Sequence, residues 1–209
     1  SLLLSYSAMV LQSDPGTAET SAGKAMDLFL NLKGAGSRDA VSSAVLLLSC
    51  LEKSGRIVEW KASIGQLAGL LMADADLSYE CSFEIWQLAR GLINVKELQL
   101  AESLLNLSEA IDLERDGEAS ISHARNLDLR SRLLNSKGHR DEALELVRFA
   151  LKIVAKSKET GQVRNEVLQS LVSNLWLYER DAGTPEDVVE REISPFLKLL
   201  PEGWGILGV

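Results

Sequence analysis

Apolar residues recur at helical spacing along the chain, and short turn signals interrupt this pattern at regular intervals. Between the signals lie segments of about 14 to 20 residues, in which apolar positions repeat every three or four residues. This pattern predicts an all-α protein. The predicted helices cover residues 2–12, 19–33, 38–53, 57–73, 77–94, 97–113, 120–136, 140–157, 162–181 and 185–199.

The residues at the predicted helix ends support these boundaries. Gly55 and Gly138 stand where a left-handed residue would close a helix. Thr184 is a candidate N-cap, with Pro185 in the first helical turn and Asp187 at the capping-box position. Pro195 is expected to kink or end the last helix, because proline lacks a backbone N–H and clashes with the preceding turn.

Small and apolar residues recur with a longer period as well. The clearest segment is 124–154, and shifts of 41 to 46 residues place comparable residues in three further segments. This favours four helical hairpins over an irregular helical bundle, the alternative that the pattern leaves open. The positions in the clearest segment are Leu127, Ser131, Leu134, Ala143, Val147 and Ala150.

This segment resembles the tetratricopeptide repeat (TPR) family. Ser131, Gly138, Ala143 and Ala150 match the family's small residues at the helix crossing, its turn glycine and its second-helix alanine. Aliphatic residues fill the family's aromatic positions, and Ala155 stands in place of the usual proline. The resemblance implies a right-handed α-solenoid of stacked antiparallel hairpins over residues 1–200. Residues 201–209 would then be a tail or the start of another domain.

A TPR-like fold implies a non-enzymatic scaffold that presents a surface to a protein or peptide partner. The net charge of −8 argues against nucleic acid and anionic membranes as partners. No apolar run reaches the roughly 20 residues that a membrane span needs. Cys50 and Cys81 fall in apolar helical stretches, where we expect buried free thiols; a disulfide is the alternative. This use of cysteine predicts a reducing compartment, the cytoplasm or nucleus.

Positive charge is concentrated in one part of the chain. Residues 119–164 carry ten Lys and Arg against five Asp and Glu. Such a basic hairpin could hold an acidic segment of a partner; the alternative is an ordinary solvated surface. The candidate partner-binding residues are Arg125, Arg130, Arg132, Arg140, Arg148 and Lys152.

The sequence predicts no catalytic, cofactor or metal site. It contains no phosphate-binding glycine loop, no Gly-x-Ser-x-Gly and no His-Glu-x-x-His. His123 and His139 are expected to be exposed residues beside turns. The acidic residues at the end of the helix over 97–113 and in the loop after it are expected to be solvated. These are Glu109, Asp112, Glu114, Asp116 and Glu118.

Trp60, Trp86 and Trp176 lie within helical patterns and are predicted to be core residues. Trp204 belongs to the tail 200–209, in which Leu-Pro-x-x-Trp is followed by aliphatic residues. This short stretch resembles the entry into the protease domain of separase, a cell-cycle protease. The resemblance implies a second function, a regulatory helical arm of a larger cysteine protease. A third possibility is a peptide or small-molecule sensor. Since the chain begins without Met, we also expect it to be a fragment of a longer protein.

Overall fold

The computed structural model describes residues 37–206 and, before them, residues 13, 14, 16, 17, 19, 20, 23 and 24. Residues 37–206 form nine α-helices and no strand. The helices are α1 (Arg38–Lys53), α2 (Ile57–Ala73), α3 (Ala75–Glu80), α4 (Ser82–Asn94), α5 (Leu98–Asp116), α6 (Ile121–Ser136), α7 (Arg140–Lys156), α8 (Gln162–Asp181) and α9 (Glu186–Leu197).

Seven of the predicted helices match observed ones to within three residues at each end. The predicted helix 2–12 lies outside the described residues, as does most of 19–33. The predicted helix 77–94 is wrong as a single element, because the chain forms α3 and α4 with Cys81 between them. The side chain of Asp74 accepts the Leu77 N–H at 3.0 Å and starts α3 before the predicted position.

The chain divides into two compact units, 1–91 and 92–209, with the boundary inside α4. In the first unit, the indole of Trp60 on α2 packs directly against Gly91 on α4. A Cβ atom at residue 91 would lie only 2.8 Å from Trp60 Cζ2. Trp60 occupies the repeat position that Ala143 fills in the clearest hairpin, so Gly91 provides the space that the larger side chain needs.

The second unit contains a core that runs through α6, α7, α8 and α9. In this unit α5 packs on α6, α6 on α7, α7 on α8 and α8 on α9, while α6 also contacts α8. The segment after α9 returns to the same core, where Leu200 and Ile206 pack against it. Gln169 Nε2 donates to the carbonyl of Gly205 at 2.8 Å and fixes this segment on α8.

The same turn follows four of the described helices, α1, α4, α6 and α8. In every case a residue with positive φ follows the helix, and the next N–H bonds to a carbonyl five residues back. The positive-φ residues are Gly55, Lys96, Gly138 and Gly183, separated by 41, 42 and 45 residues. The bonds join Arg56 to Leu51, Glu97 to Leu92, His139 to Leu134 and Thr184 to Glu179 at 2.9 to 3.1 Å. The turns therefore recur at spacings close to the 41 to 46 residues found in the sequence.

Several predictions about exposure are wrong. His123 is buried, because the start of α6 packs into the second unit, whereas His139 is exposed as expected. Asp112 is fully buried instead of solvated, since it pairs with arginines at the α5–α6 contact. Among the three tryptophans predicted to be core residues, only Trp60 is fully buried. Trp86 and Trp176 are half-buried, with Arg90 and Arg180 respectively over their rings.

The start of α9 also differs from the expectation. Thr184 does not cap the helix, because Pro185 occupies the N-cap position and the helix begins at Glu186. The Thr184 hydroxyl instead donates to the carboxylate of Glu179. Pro195 lies inside α9 and does not end it at its own position, since the helix continues to Leu197. The missing N–H of Pro195 removes one hydrogen bond of the helix.

Candidate functional site

The outward face of α7 changes in character along the helix. Its buried side, which includes Ala143, Val147 and Ala150, packs into the core of the second unit. The exposed side is acidic near the start of the helix and becomes apolar and basic toward its end, at Phe149, Lys152 and Lys156. Carboxylates near a helix N-terminus and lysines near its C-terminus complement the helix dipole. The dipole gives no reason for an exposed phenylalanine.

A surface cavity of about 300 Å³ lies beside the second half of α7. It is open to solvent, and its walls come from α7 and from the loop between α5 and α6. The lining residues are Glu118, Ala119, Phe149, Lys152, Ile153, Lys156 and Ser157.

Hydrogen bonds hold the loop before α6 and the loop after α7 in place at this end of the second unit. Ser120 caps α6 by accepting the N–H of His123 at 3.1 Å, and its hydroxyl donates to Gly117 O at 2.7 Å. From the loop after α7, the Glu159 carboxylate accepts the N–H of Ile121 at 3.2 Å. These bonds therefore fix the loop between α5 and α6, which forms one wall of the cavity.

The predicted partner-binding residue Arg125 faces the interior. Its side chain is only 11% exposed, and its Nη2 lies 3.1 Å from Oδ2 of the fully buried Asp112. The same carboxylate accepts hydrogen bonds from Arg115 Nη2 at 2.7 Å and Asn126 Nδ2 at 2.9 Å. Burial lowers the pKa of Arg125. This network ties α5 to α6.

Arg130 and Arg132 also contact their own chain. Arg130 pairs with Glu109 and donates to Asn106 Oδ1 at 2.8 Å, again joining α6 to α5. Arg132 lies 3.9 Å from Oδ2 of Asp128, a buried carboxylate at the α6–α8 contact.

Asp128 is held by donors on α8. It accepts the Ser170 hydroxyl at 2.8 Å and the Asn174 amide at 2.7 Å. Burial raises the pKa of Asp128, and the two hydrogen bonds together with the nearby guanidinium of Arg132 act in the opposite direction.

The two arginines on α7 bind the following helices. Arg140 donates to the backbone carbonyl of Asp181 at 2.9 Å. Arg148 pairs with Glu192 at 2.7 Å and also with Glu179. The Glu192 hydrogen bond raises the pKa of Arg148. These contacts link α7 with α8 and α9.

Lys152 is the one predicted residue that lines the cavity. Within the described part of the chain it has no ion-pair partner, and the same holds for Lys156 one turn later. Sequence reasoning did not select Phe149, Lys156 or the loop 117–120. One feature of the sequence could have revealed Phe149. Helical periodicity places this aromatic residue on the polar face of α7, four residues after Glu145 and three before Lys152.

No protein-family model matches the sequence, and no curated protein matches it. Two crystal structures of a Podosopora anserina protein, described as a kinesin light chain with nearly identical TPR-like repeats, are similar to the chain. One is a single-substitution variant with a TM-score of 0.71 at 14% identity. The other has a TM-score of 0.69 at 15% identity. Each alignment covers 94% of this chain and 92% of the other.

The chain has the TPR-like α-solenoid fold. The small residues that carried the resemblance hold the expected places: Ser131, Ala143 and Ala150 are fully buried, and Gly138 adopts a φ of 87° in the turn. The resemblance of the tail to separase is tested by none of these similarities and stays a prediction.

Metal ligands and cysteine thiols are the remaining candidates for chemistry within the described residues. Within the described residues, no group of three or more His, Cys, Asp or Glu side chains could hold a metal ion. Cys50 and Cys81 are buried free thiols, and burial raises their pKa values to about 11 and about 12. Both are therefore protonated and poorly nucleophilic near neutral pH. No described helix is long and apolar enough to cross a membrane.

Proposed function

We propose that the chain is a non-enzymatic scaffold that binds a protein or peptide partner bearing an acidic segment. TPR-like repeats generally mediate protein interactions, so the fold supports the general class of function. The observation that carries the more specific proposal is the contrast within the basic hairpin. Most of its arginines bind groups of their own chain, whereas Lys152 and Lys156 line an open cavity beside Phe149.

The charge of the chain fits this proposal. A net charge of −8 disfavours polyanions as a class, but a local basic surface can still attract a short acidic segment. We place the scaffold in the cytoplasm or nucleus, because its two buried cysteines are unpaired. Function as a regulatory arm of a larger enzyme, or as a ligand sensor, stays a prediction from the sequence, and no described feature favours either.

Affinity purification with the 209-residue chain as bait tests the proposal. We expect the bait to capture a protein partner. The purified partner should bind the chain saturably, with an affinity that falls as the salt concentration rises. A double variant, Lys152→Gln with Lys156→Gln, should weaken capture. A matched Lys198→Gln variant removes an exposed lysine at the end of α9 that does not line the cavity, and it should bind like the wild type.

Failure to find any saturable protein partner would contradict the scaffold proposal. A partner that binds the wild type and the double lysine variant equally would keep the scaffold and reject the basic surface as its binding region.

A further inference from the structure

The cavity beside α7 combines three features that point to one kind of ligand. We propose that it binds a peptide segment whose apolar side chain packs on Phe149 while neighbouring carboxylates contact Lys152 and Lys156. This inference rests on the proposed scaffold function and names the ligand chemistry of its surface.

The apolar part of the site is Phe149. Its residue surface is 50% exposed on a helix whose other large apolar residues are buried or half-buried. Ile153 and Ala119 extend the apolar wall into the cavity. A volume of about 300 Å³ lies at the lower end of the range of small-ligand pockets, so it suits one side chain and its neighbours. Exposed aromatic residues beside such a cavity are typical anchors of interfaces.

The cationic part of the site lies on the same helical face. Lys152 and Lys156 follow Phe149 at spacings of three and seven residues, so their side chains line one side of the cavity. Neither lysine has an ion-pair partner in the described part of the chain, in contrast to Arg148 one residue before Phe149. Charge complementarity therefore selects an acidic partner over a basic or purely apolar one.

The opposite wall of the cavity restricts the orientation in which a ligand can bind. Glu118 contributes a carboxylate on the loop between α5 and α6. It would repel acidic groups on that side and leave the lysine side to receive them. An acidic ligand should consequently bind in one orientation, with its carboxylates toward α7 and its apolar side chain between the two walls.

Fluorescence anisotropy with defined peptides tests this inference. The probes are fluorescein-labelled eight-residue peptides with one leucine or tryptophan flanked by two aspartates. Matched peptides carry asparagine in place of aspartate, or serine in place of the apolar residue. We expect saturable binding of the acidic apolar peptides to the 209-residue chain and at least tenfold weaker binding of both matched forms.

Variants assign the contacts. Phe149→Ala should weaken binding about 30-fold, as loss of an interface anchor does. Lys152→Gln and Lys156→Gln should each weaken it up to about fivefold. Glu118→Gln should strengthen binding about twofold by removing repulsion. Lys198→Gln, which makes the same charge change outside the cavity, should leave the affinity unchanged. Circular dichroism and thermal unfolding establish that each variant is folded.

Other outcomes overturn the inference. These are the absence of saturable binding, equal binding of the asparagine peptides, or binding that Phe149→Ala and the lysine variants leave unchanged. Self-association that Phe149→Ala abolishes would assign the surface to a second copy of the chain and would also overturn it. A protein partner captured through another surface, together with negative peptide results, would keep the scaffold and reject this ligand site.

Discussion

Three arginines and two lysines of the hairpin 119–164 differ in the groups that they contact. Arg125, Arg130 and Arg148 form ion pairs with carboxylates on neighbouring helices, and two of those carboxylates belong to buried residues. Lys152 and Lys156 lie on the outer face of α7 and line a cavity. Positive charge that looks uniform in the sequence thus serves two purposes: these arginines connect helices, whereas Lys152 and Lys156 remain available at the surface. Lys137 behaves like the arginines, because its Nζ lies 2.8 Å from Oε2 of Glu102 on α5.

The difference between these arginines and the two lysines follows from the chemistry of their side chains. A guanidinium is planar and donates in several directions, so one arginine can join two carboxylates, as Arg148 does with Glu179 and Glu192. An ammonium is a compact and strongly hydrated charge, which stays in water readily until a partner displaces that water. The local charge excess therefore does not by itself measure how much of the surface can attract a ligand.

The largest effect is expected from removing the carboxylate at the centre of the arginine network. Asp112→Ala would remove the carboxylate that pairs with the largely buried Arg125 and that accepts the Asn126 amide, which should lower the free energy of unfolding by about 3 to 5 kcal/mol. Urea denaturation measures this change. Glu114→Ala, an exposed site on the same helix, is the control and should change stability by less than about 0.5 kcal/mol. Similar losses in both variants would contradict the network's role.

A smaller loss of stability is expected for Arg148, whose side chain is partly solvated. Arg148→Met should lower the free energy of unfolding by about 1 kcal/mol, because its side chain is 41% exposed and solvent screens the pair. Arg191→Met removes an arginine that is 74% exposed and pairs with Asp187, and it should have almost no effect. Thermal unfolding of the two variants compares them, and equal shifts in Tm would show that Arg148 does not join the helices.

Asp128 should make stability depend on pH. Because burial raises its pKa, the folded chain holds this proton to a higher pH than the unfolded chain does. The free energy of unfolding contributed by Asp128 therefore falls as pH rises from the ordinary aspartate pKa of 3.8 through the raised value. Asp128→Asn should remove this fall, while exposed Asp141→Asn should not. Urea unfolding across that pH range measures it, and parallel curves for wild type and Asp128→Asn would refute the prediction.

The smallest change in stability is expected on the lysine side. The Lys152→Gln, Lys156→Gln double variant should unfold within about 0.5 kcal/mol of the wild type, because neither lysine has a partner within the described residues. Urea denaturation measures this difference. A loss above about 1 kcal/mol would place the lysines among the residues that hold the fold and would remove the contrast with the arginines.

Most of the helices could be predicted from the sequence, because the residues that end them directly follow them in the chain. Gly55, Gly138 and Gly183 stand at turns that need a positive φ, and the helix boundaries followed from them. The break at Cys81 was missed because no glycine or proline marks it. Lys96 adopts a φ of 65° without a glycine, so its turn gave no such signal, although the gap between predicted helices still fell there.

Burial of polar residues could not be predicted in the same way. Asp112 and His123 lie in stretches that look like surface, and their burial depends on which helix packs against them. The candidate binding residues were chosen by charge alone, and only contacts between helices distinguish Arg125 from Lys152. A single sequence records residue types along one helix but not the partner groups that a neighbouring helix supplies.

The recurring hairpin turn also bears on the kinetics of folding. Each turn closes through a bond that spans five residues, and the main helix contacts of the second unit join helices adjacent in sequence or one apart. Such local contacts favour rapid folding that starts in one hairpin and spreads to its neighbours. The α6–α7 pair has glycine at its turn, whereas Lys96 holds a left-handed conformation that costs an ordinary residue about 1 kcal/mol. Folding should therefore begin more readily at Gly138 than at Lys96.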